Sequence, residues 1–254
     1  MLSSGGMNYK NIEFLDRTGL VKTMFTTRDV CDWPYYETGN DARYERVTDA
    51  FNVTKGNIIR IKQTHSDRSR VITYDNAGEG ITKEESVQNC DGTVTSEKGL
   101  VLCTVVADCV PVFILDPVNK AVAMVHSGWR GTASQISVNT LKLMEDVYGT
   151  KPQEVLVALG PHISAASYEV SEDLIEPFSK NYDADVMKEI FTDKENGKYY
   201  LNLSLAIKRS VMKAGVAESN FMDVNIDTLT NTEYCSWRRD QIKTERILTA
   251  IVLV

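Results

Sequence analysis

The sequence predicts one α/β domain built on a mixed β-sheet, on three observations. Short apolar runs rich in Val, Ile and Leu recur along the chain and alternate with longer stretches of helical period. Two of these runs, 112–116 and 121–126, are separated by a turn containing Pro117 and Asn119, so at least one strand pair is an antiparallel hairpin and the sheet is mixed. No linker, internal repeat or composition shift divides the 254 residues, which are enough for one sizeable core.

In chain order, residues 1–16 begin Met-Leu-Ser-Ser-Gly-Gly and are expected to be a flexible lead-in to a domain spanning 17–254. Strands are expected over 21–26, 58–62, 71–74, 100–106, 112–116, 121–126, 155–159 and 247–254, each an apolar or alternating run. Helices are expected over 133–148, 172–181 and 203–214. The first runs into Gly149 and the third into Gly215, the residue type that closes a helix in the left-handed conformation. Thr132, just ahead of the first helix, is a good N-cap.

Composition excludes several function classes. A net charge of −7 with no basic stripe argues against a nucleic-acid partner. There is no apolar run of membrane-spanning length and no charged-then-apolar leader, so neither a membrane span nor a signal peptide is expected. Five cysteines, an odd number without tight spacing, point to a reducing cytoplasm and not to a disulfide framework. Cys31, Cys90, Cys103 and Cys235 are read as structural.

The chemistry concentrates at strand ends. Of only three histidines, His65 follows the strand ending near Lys62, and His126 ends the run from Ala121. Cys109 closes another apolar run just before Pro111. Imidazole and thiolate are the ligands zinc accepts, and a catalytic zinc keeps three protein ligands with the fourth position open. Separations of 44 and 17 residues mean that His65, Cys109 and His126 cannot form one local finger; they would converge from separate strands, as an enzyme site does. Taken one by one, the same residues also fit a small buried thiol and satisfied histidines. One copper could be held by two His and one Cys, but a multicopper cluster needs further histidines that the chain lacks. A third use of the same atoms is a cysteine hydrolase, with Cys109 as nucleophile and His126 as its base. Asp108, beside Cys109, is a candidate for orienting an imidazole.

The loop after His126 suits an anion. Gly128 and Gly131 permit close backbone approach, Thr132 caps the following helix, and Arg130 offers a bidentate contact. The plainer alternative is a glycine turn with Arg130 paired to a surface carboxylate. Arg238 and Arg239 are adjacent cations of the kind that usually line a solvated face.

Seven segments taken together resemble a known family: Gln63-Thr64-His65-Ser66, Asp91-Gly92-Thr93-Val94-Thr95, Ala107-Asp108-Cys109-Val110-Pro111-Val112, His126-Ser127-Gly128-Trp129-Arg130-Gly131-Thr132, Leu159-Gly160-Pro161, Tyr168-Glu169-Val170 and Ser236-Trp237-Arg238-Arg239-Asp240. In this order, from about residue 17 to the C-terminus, they resemble the YfiH-like family, also called the laccase-domain or multicopper polyphenol oxidase family. The resemblance implies a layered α/β sandwich and a catalytic zinc on His65, Cys109 and His126. The activity it implies is phosphorolysis of purine nucleosides (adenosine, inosine, guanosine or methylthioadenosine), with adenosine deamination as a further activity. Nucleosides and phosphate are then the partners, and a protein that only binds nucleosides is the non-enzymatic alternative. The resemblance also places the 236–240 segment in the active-site wall, which makes Arg238 or Arg239 a contact to phosphate or ribose. Glu169, in a Tyr-Glu pair read as the start of a helix, becomes a candidate proton donor or ribose ligand, with a surface anchor as the alternative. The chain departs from the family at Ala166-Ser167 and Asp227-Thr228, where many members carry cysteine, and at Glu37-Thr38-Gly39-Asn40, which replaces an early Asn-Leu-Gly segment. His162 stands where small residues are common and is read as a surface substitution.

Overall fold

A computed structural model describes residues 9–30, 33, 42–84 and 90–254. The strands are β1 (Tyr9–Lys10), β2 (Val21–Thr26), β3 (Ile58–Arg60), β4 (Ser69–Val71), β5 (Gly92–Thr95), β6 (Val101–Val106), β7 (Val110–Asp116), β8 (Ala121–Ser127), β9 (Leu156–Leu159), β10 (Glu169–Ser171), β11 (Phe191–Asp193), β12 (Lys198–Leu201), β13 (Phe221–Asp223) and β14 (Ile247–Leu253). They form a five-stranded sheet, β1-β2-β14-β6-β3, a six-stranded sheet, β13-β9-β7-β8-β5-β4, and a small sheet, β10-β12-β11. Both large sheets are mixed: β3 runs parallel to β6 and β13 to β9, whereas β7 and β8 are the expected antiparallel hairpin.

Period-two alternation explains the layers. Phe113 and Leu115 of β7, with Val122 and Met124 of β8, share one core with Phe25, Leu102, Ile247 and Ile251 of the five-stranded sheet. Val112 and Ile114 of β7, with Ala123 and Val125 of β8, face the opposite way, onto Ile136, Leu141 and Met144 of the helix Ile136–Tyr148 and Ile207 of the helix Leu203–Lys213. Beyond the five-stranded sheet a third core joins Val101, Cys103 and Val105 to Val47 and Phe51 of the helix Glu45–Phe51. The result is a helix, sheet, sheet, helix sandwich, in which strands with two apolar faces are buried on both. One polar pair sits between the sheets: Thr104 and Thr249 are wholly buried, and their hydroxyls satisfy each other at 2.7 Å.

Local chemistry sets several boundaries. The Asp116 carboxylate accepts the N–H groups of Val118 and Asn119 and the Asn119 amide, which closes the β7–β8 turn. Asn202 caps the helix Leu203–Lys213 by accepting from the Leu205 N–H at 2.9 Å. Gly149 ends the helix Ile136–Tyr148 at φ 71°, as expected.

Other expectations are corrected. The helix expected over 133–148 is two, Trp129–Ala133 and Ile136–Tyr148, separated at Gln135 by a left-handed residue at φ 64°. The segment 172–181 forms a 3₁₀ turn, Glu172–Leu174, and a short helix, Ile175–Ser179. The strand expected at 71–74 overlaps β4 only at Val71. Cys235 is buried and disulfide-bonded, which the odd cysteine count did not predict; Cys31 and the Glu37-Asn40 segment lie outside the described residues. Among the described residues no helix is long and apolar enough to cross a membrane.

The expectation of flexibility up to residue 16 fails for residues 9–16, and 1–8 lie outside the described residues. Tyr9 and Lys10 pair with β2, Ile12 and Leu15 are fully buried, and the Asp16 carboxylate accepts from the Thr23 N–H, the Thr23 hydroxyl and the Asn11 amide. Ile12→Ala is therefore expected to cost about 2–5 kcal/mol, read in urea as a lower midpoint with an unchanged slope. A change below about 0.5 kcal/mol, the size expected for a surface position, would contradict this packing.

Candidate active site

The site forms where three loops meet at one end of the six-stranded sheet. Beyond the last β3–β6 pair, the buried Gln63 side chain substitutes for a strand: its amide donates to the Val105 carbonyl at 2.9 Å and accepts from the Val105 N–H at 2.8 Å. That anchor starts the turn carrying His65, whose backbone is left-handed at φ 59°. The turn is closed by Asp91, just ahead of β5. Its carboxylate accepts from the N–H groups of Thr64, His65 and Ser66 at 3.1, 3.0 and 2.6 Å, and from the Ser66 hydroxyl at 2.7 Å.

The same carboxylate lies 2.8 Å from Nδ1 of His126, at the end of β8, and the Asp91 carbonyl accepts the His126 N–H at 2.7 Å. Asp91 thus fixes the backbone of one histidine and the ring of the other. With Nδ1 committed, only Nε2 of His126 is left to face the site. Cys109 is the last residue of the turn between β6 and β7, and its Sγ lies 3.9 Å from His65 Nε2. The two imidazoles meet edge to face at 4.8 Å between centres, and one ligand atom from each of His65, Cys109 and His126 lies within 4.8 Å of the others. His126 is buried, whereas His65 and Cys109 are half-buried.

Gly128 makes this convergence possible. A Cβ there would lie 2.9 Å from His65 Cδ2 and 3.0 Å from Cys109 Sγ, so only glycine lets the loop pass over both side chains. Charge is equally organised. Burial alone would raise the Asp91 pKa, but the His126 and Ser66 contacts overcome it and hold it at about 2. Burial also opposes a Cys109 thiolate and a His126 imidazolium, yet each stabilises the other, so the thiol is pushed down and the imidazole up. Two imidazoles and a thiol that readily ionises form a donor set that fits a borderline-soft divalent ion, which would take the place of the shared protons.

Two clefts are lined by both His65 and Cys109. The larger, about 520 Å³, adds Val105, Val106, Trp237, Lys243 and Arg246. The smaller, about 220 Å³, adds Trp129, Arg130, Tyr168 and Arg238. His65, Cys109 and Trp237 line both, so the clefts meet at the His-Cys-His group.

Of the other residues singled out in the sequence, Arg130 and Arg238 are in the site. The Arg130 guanidinium rests 4.2 Å from the Trp129 ring centre, and that of Arg238 donates to the Glu169 carbonyl at 2.9 Å. Arg239 is turned away, with every N–H used: Nε and Nη2 on Asp240, Nη1 on the Thr228 and Leu229 carbonyls, and Nη2 again on the Tyr234 carbonyl. Thr132 caps nothing, because the helix begins earlier, after an extended Gly128; its buried hydroxyl lies 2.9 Å from the Ser127 hydroxyl. Glu169 begins strand β10, not a helix, and pairs with Lys194, whose hydrogen bond lowers its pKa and so favours the ionised carboxylate. Asp108, at φ 80°, points away from the histidines and accepts from the Thr228 hydroxyl and the Arg238 N–H at 2.7 and 2.6 Å. The carboxylate that orients an imidazole is Asp91, whose only signal in the sequence was its place in the Asp-Gly-Thr motif. His162 is buried, not superficial, with Nδ1 on the Gly160 carbonyl at 2.9 Å.

Asp91→Asn preserves the shape but sets an amide against three N–H donors and the His126 ring. It should weaken uptake of a divalent metal by roughly 10- to 100-fold, measured by competition with a chromophoric chelator. Gly128→Ala should weaken it as well, with an unchanged far-ultraviolet spectrum. Wild-type metal affinity in both variants would refute the geometry described.

The chain matches the family described as multi-copper polyphenol oxidoreductase laccase over residues 38–254. It is 37% identical over 172 residues to a purine nucleoside phosphorylase of Bacteroides thetaiotaomicron, a match covering 67% of this chain and 63% of that protein. A protein named adenosine deaminase RL5, from an unknown prokaryotic organism, is 28% identical over 232 residues, covering 88% of this chain and 86% of that one. In fold, the chain is similar to the crystal structure of the Bacillus licheniformis hypothetical protein YfiH, with a TM-score of 0.89 at 24% identity, covering 100% of this chain and 99% of the other. On the match that spans most of its length, the chain belongs to the multi-copper polyphenol oxidoreductase laccase family.

Proposed function

We propose that the protein is a zinc-dependent purine nucleoside phosphorylase, converting adenosine, inosine, guanosine or methylthioadenosine and phosphate to free base and ribose 1-phosphate. The observation that carries this is the junction at His65, Cys109 and His126 of one cleft large enough for a nucleoside and a smaller one walled by two guanidinium groups. The relatives named purine nucleoside phosphorylase support it.

His65, Cys109 and His126 would hold the zinc, which supplies Lewis acidity toward a substrate oxygen. Asp91 keeps the His126 proton on Nδ1, away from the ligand position. Arg130 and Arg238 bind the phosphate dianion through charge-assisted hydrogen bonds, and Trp237, 37% exposed, offers an aromatic face to the purine. Held side by side, a phosphate oxygen bonds to the ribose C1′ as the bond from C1′ to the purine nitrogen breaks, and the base leaves with the bonding electrons.

The family's laccase name does not transfer as a mechanism. With His65 and His126 in this group, His162 is the one histidine remaining in the chain, and it is committed to the Gly160 carbonyl. Three histidines leave nothing for a multicopper cluster. Deamination of adenosine at the same site is a second reading, favoured by the relative that carries that name.

Elemental analysis of the purified protein, with assays for base, ribose 1-phosphate and ammonia, tests these readings. We expect about one zinc per chain and chelator-sensitive, phosphate-dependent release of base, lost by more than about 100-fold in His126→Ala with folding retained. Full turnover in His126→Ala would refute the assignment. No metal, with activity blocked only by thiol alkylation, would replace it with a Cys109–His126 hydrolase, and a full zinc load without turnover would leave a nucleoside-binding protein.

A further inference from the structure

Beside Arg130 and Arg238, the smaller cleft offers the phenol of a tyrosine. Tyr168 lines that cleft with His65, Cys109 and both arginines. Its backbone is tied on two sides: the N–H donates to the Ser164 carbonyl and the carbonyl accepts from the Leu201 N–H, each at 3.0 Å. The ring packs against the helix-side core, with the Arg238 guanidinium 5.2 Å from its centre. The hydroxyl, by contrast, has no hydrogen-bond partner among the described residues. A tyrosine whose ring is anchored and whose hydroxyl has no protein partner can donate that hydroxyl to the cleft's occupant.

The surroundings say what that occupant is. Two guanidinium groups line the cleft against a single carboxylate, Asp108, whose oxygens already accept from the Thr228 hydroxyl and the Arg238 N–H. The contacts of the two guanidinium groups are to a backbone carbonyl and aromatic rings: Arg238 to the Glu169 carbonyl and the Tyr168 ring, and Arg130 to the Trp129 ring. At about 220 Å³ the space falls below the usual range for organic ligands and suits a small anion.

We propose that Tyr168 contacts the substrate oxyanion, its hydroxyl donating a hydrogen bond to the phosphate held between Arg130 and Arg238. The proposal rests on the phosphorylase reading for the identity of the anion. A phenol is protonated at neutral pH and can donate to an anion there. Three donors can hold three phosphate oxygens and leave the fourth for the ribose carbon in the adjoining cleft. The contact exists before the bond to C1′ forms, so its loss belongs mainly in phosphate binding and not in turnover.

Tyr168→Phe removes the hydroxyl and keeps the ring beneath Arg238. On the zinc-loaded full chain, inorganic phosphate affinity is measured by phosphorus resonance line broadening, and kinetics are measured with phosphate varied at saturating inosine. The expected result is a rise of roughly 10- to 100-fold in phosphate Kd and KM, with zinc content and inosine KM unchanged. Unchanged phosphate affinity, or an equal loss for inosine and phosphate, would overturn the proposal. If the substitution weakens phosphate binding but even the unsubstituted protein releases no base, the oxyanion contact stands and the phosphorylase reading fails.

Discussion

The Asp91 carboxylate is the constraint on which the site depends. It is fully buried, it satisfies three successive N–H groups of the His65 turn, and it fixes the His126 ring from the opposite side. An anion in that position would be costly if it were not so fully hydrogen-bonded. Its contacts hold it ionised, so the cost of burial becomes rigidity at the point where two loops must agree to within a hydrogen-bond length. Three candidate metal ligands drawn from residues 44 and 17 positions apart need such a fixed point, because no local turn relates them.

The sandwich supplies the rest of the precision. β6, β7 and β8 are buried on both faces, so the turns at their ends start from strands that cannot shift register without exposing apolar side chains. From these ends Cys109 and His126 project toward one another, and Gly128 leaves the space they need. The cleft walls come from later parts of the chain: Tyr168 beside β10 and the short helix Trp237–Asp240, joined by the Arg238 contact to the Glu169 carbonyl. Asp108 couples these walls to the loop that carries Cys109 by accepting the Arg238 N–H.

Much of this was legible in the sequence. Strand 21–26 and the β7–β8 hairpin follow from apolar runs and turn residues alone, and the three ligand candidates stood out because histidine is scarce and each sits at a strand end. What stayed hidden depends on direction. Asp108 adjoins Cys109 in sequence, yet its left-handed backbone sends its carboxylate elsewhere, while Asp91 arrives from a segment distant along the chain. Arg238 and Arg239 are neighbours on one helical turn, so their side chains diverge, one into the cleft and one onto Asp240 and three carbonyls. Thr132 looked like a cap only while the helix was taken to start at residue 133. Strands β1 and β10 to β13, none longer than 4 residues, are too brief to show a period at all.

The most direct test of the central claim is a crystal structure of the purified full chain, with anomalous data on both sides of the zinc and copper absorption edges. The account predicts a single zinc peak bounded by His65, Cys109 and His126, with Asp91 still on His126 Nδ1 and not on the metal. A copper peak, Asp91 as a direct ligand, or no metal at a site that also fails to take up added zinc would contradict it.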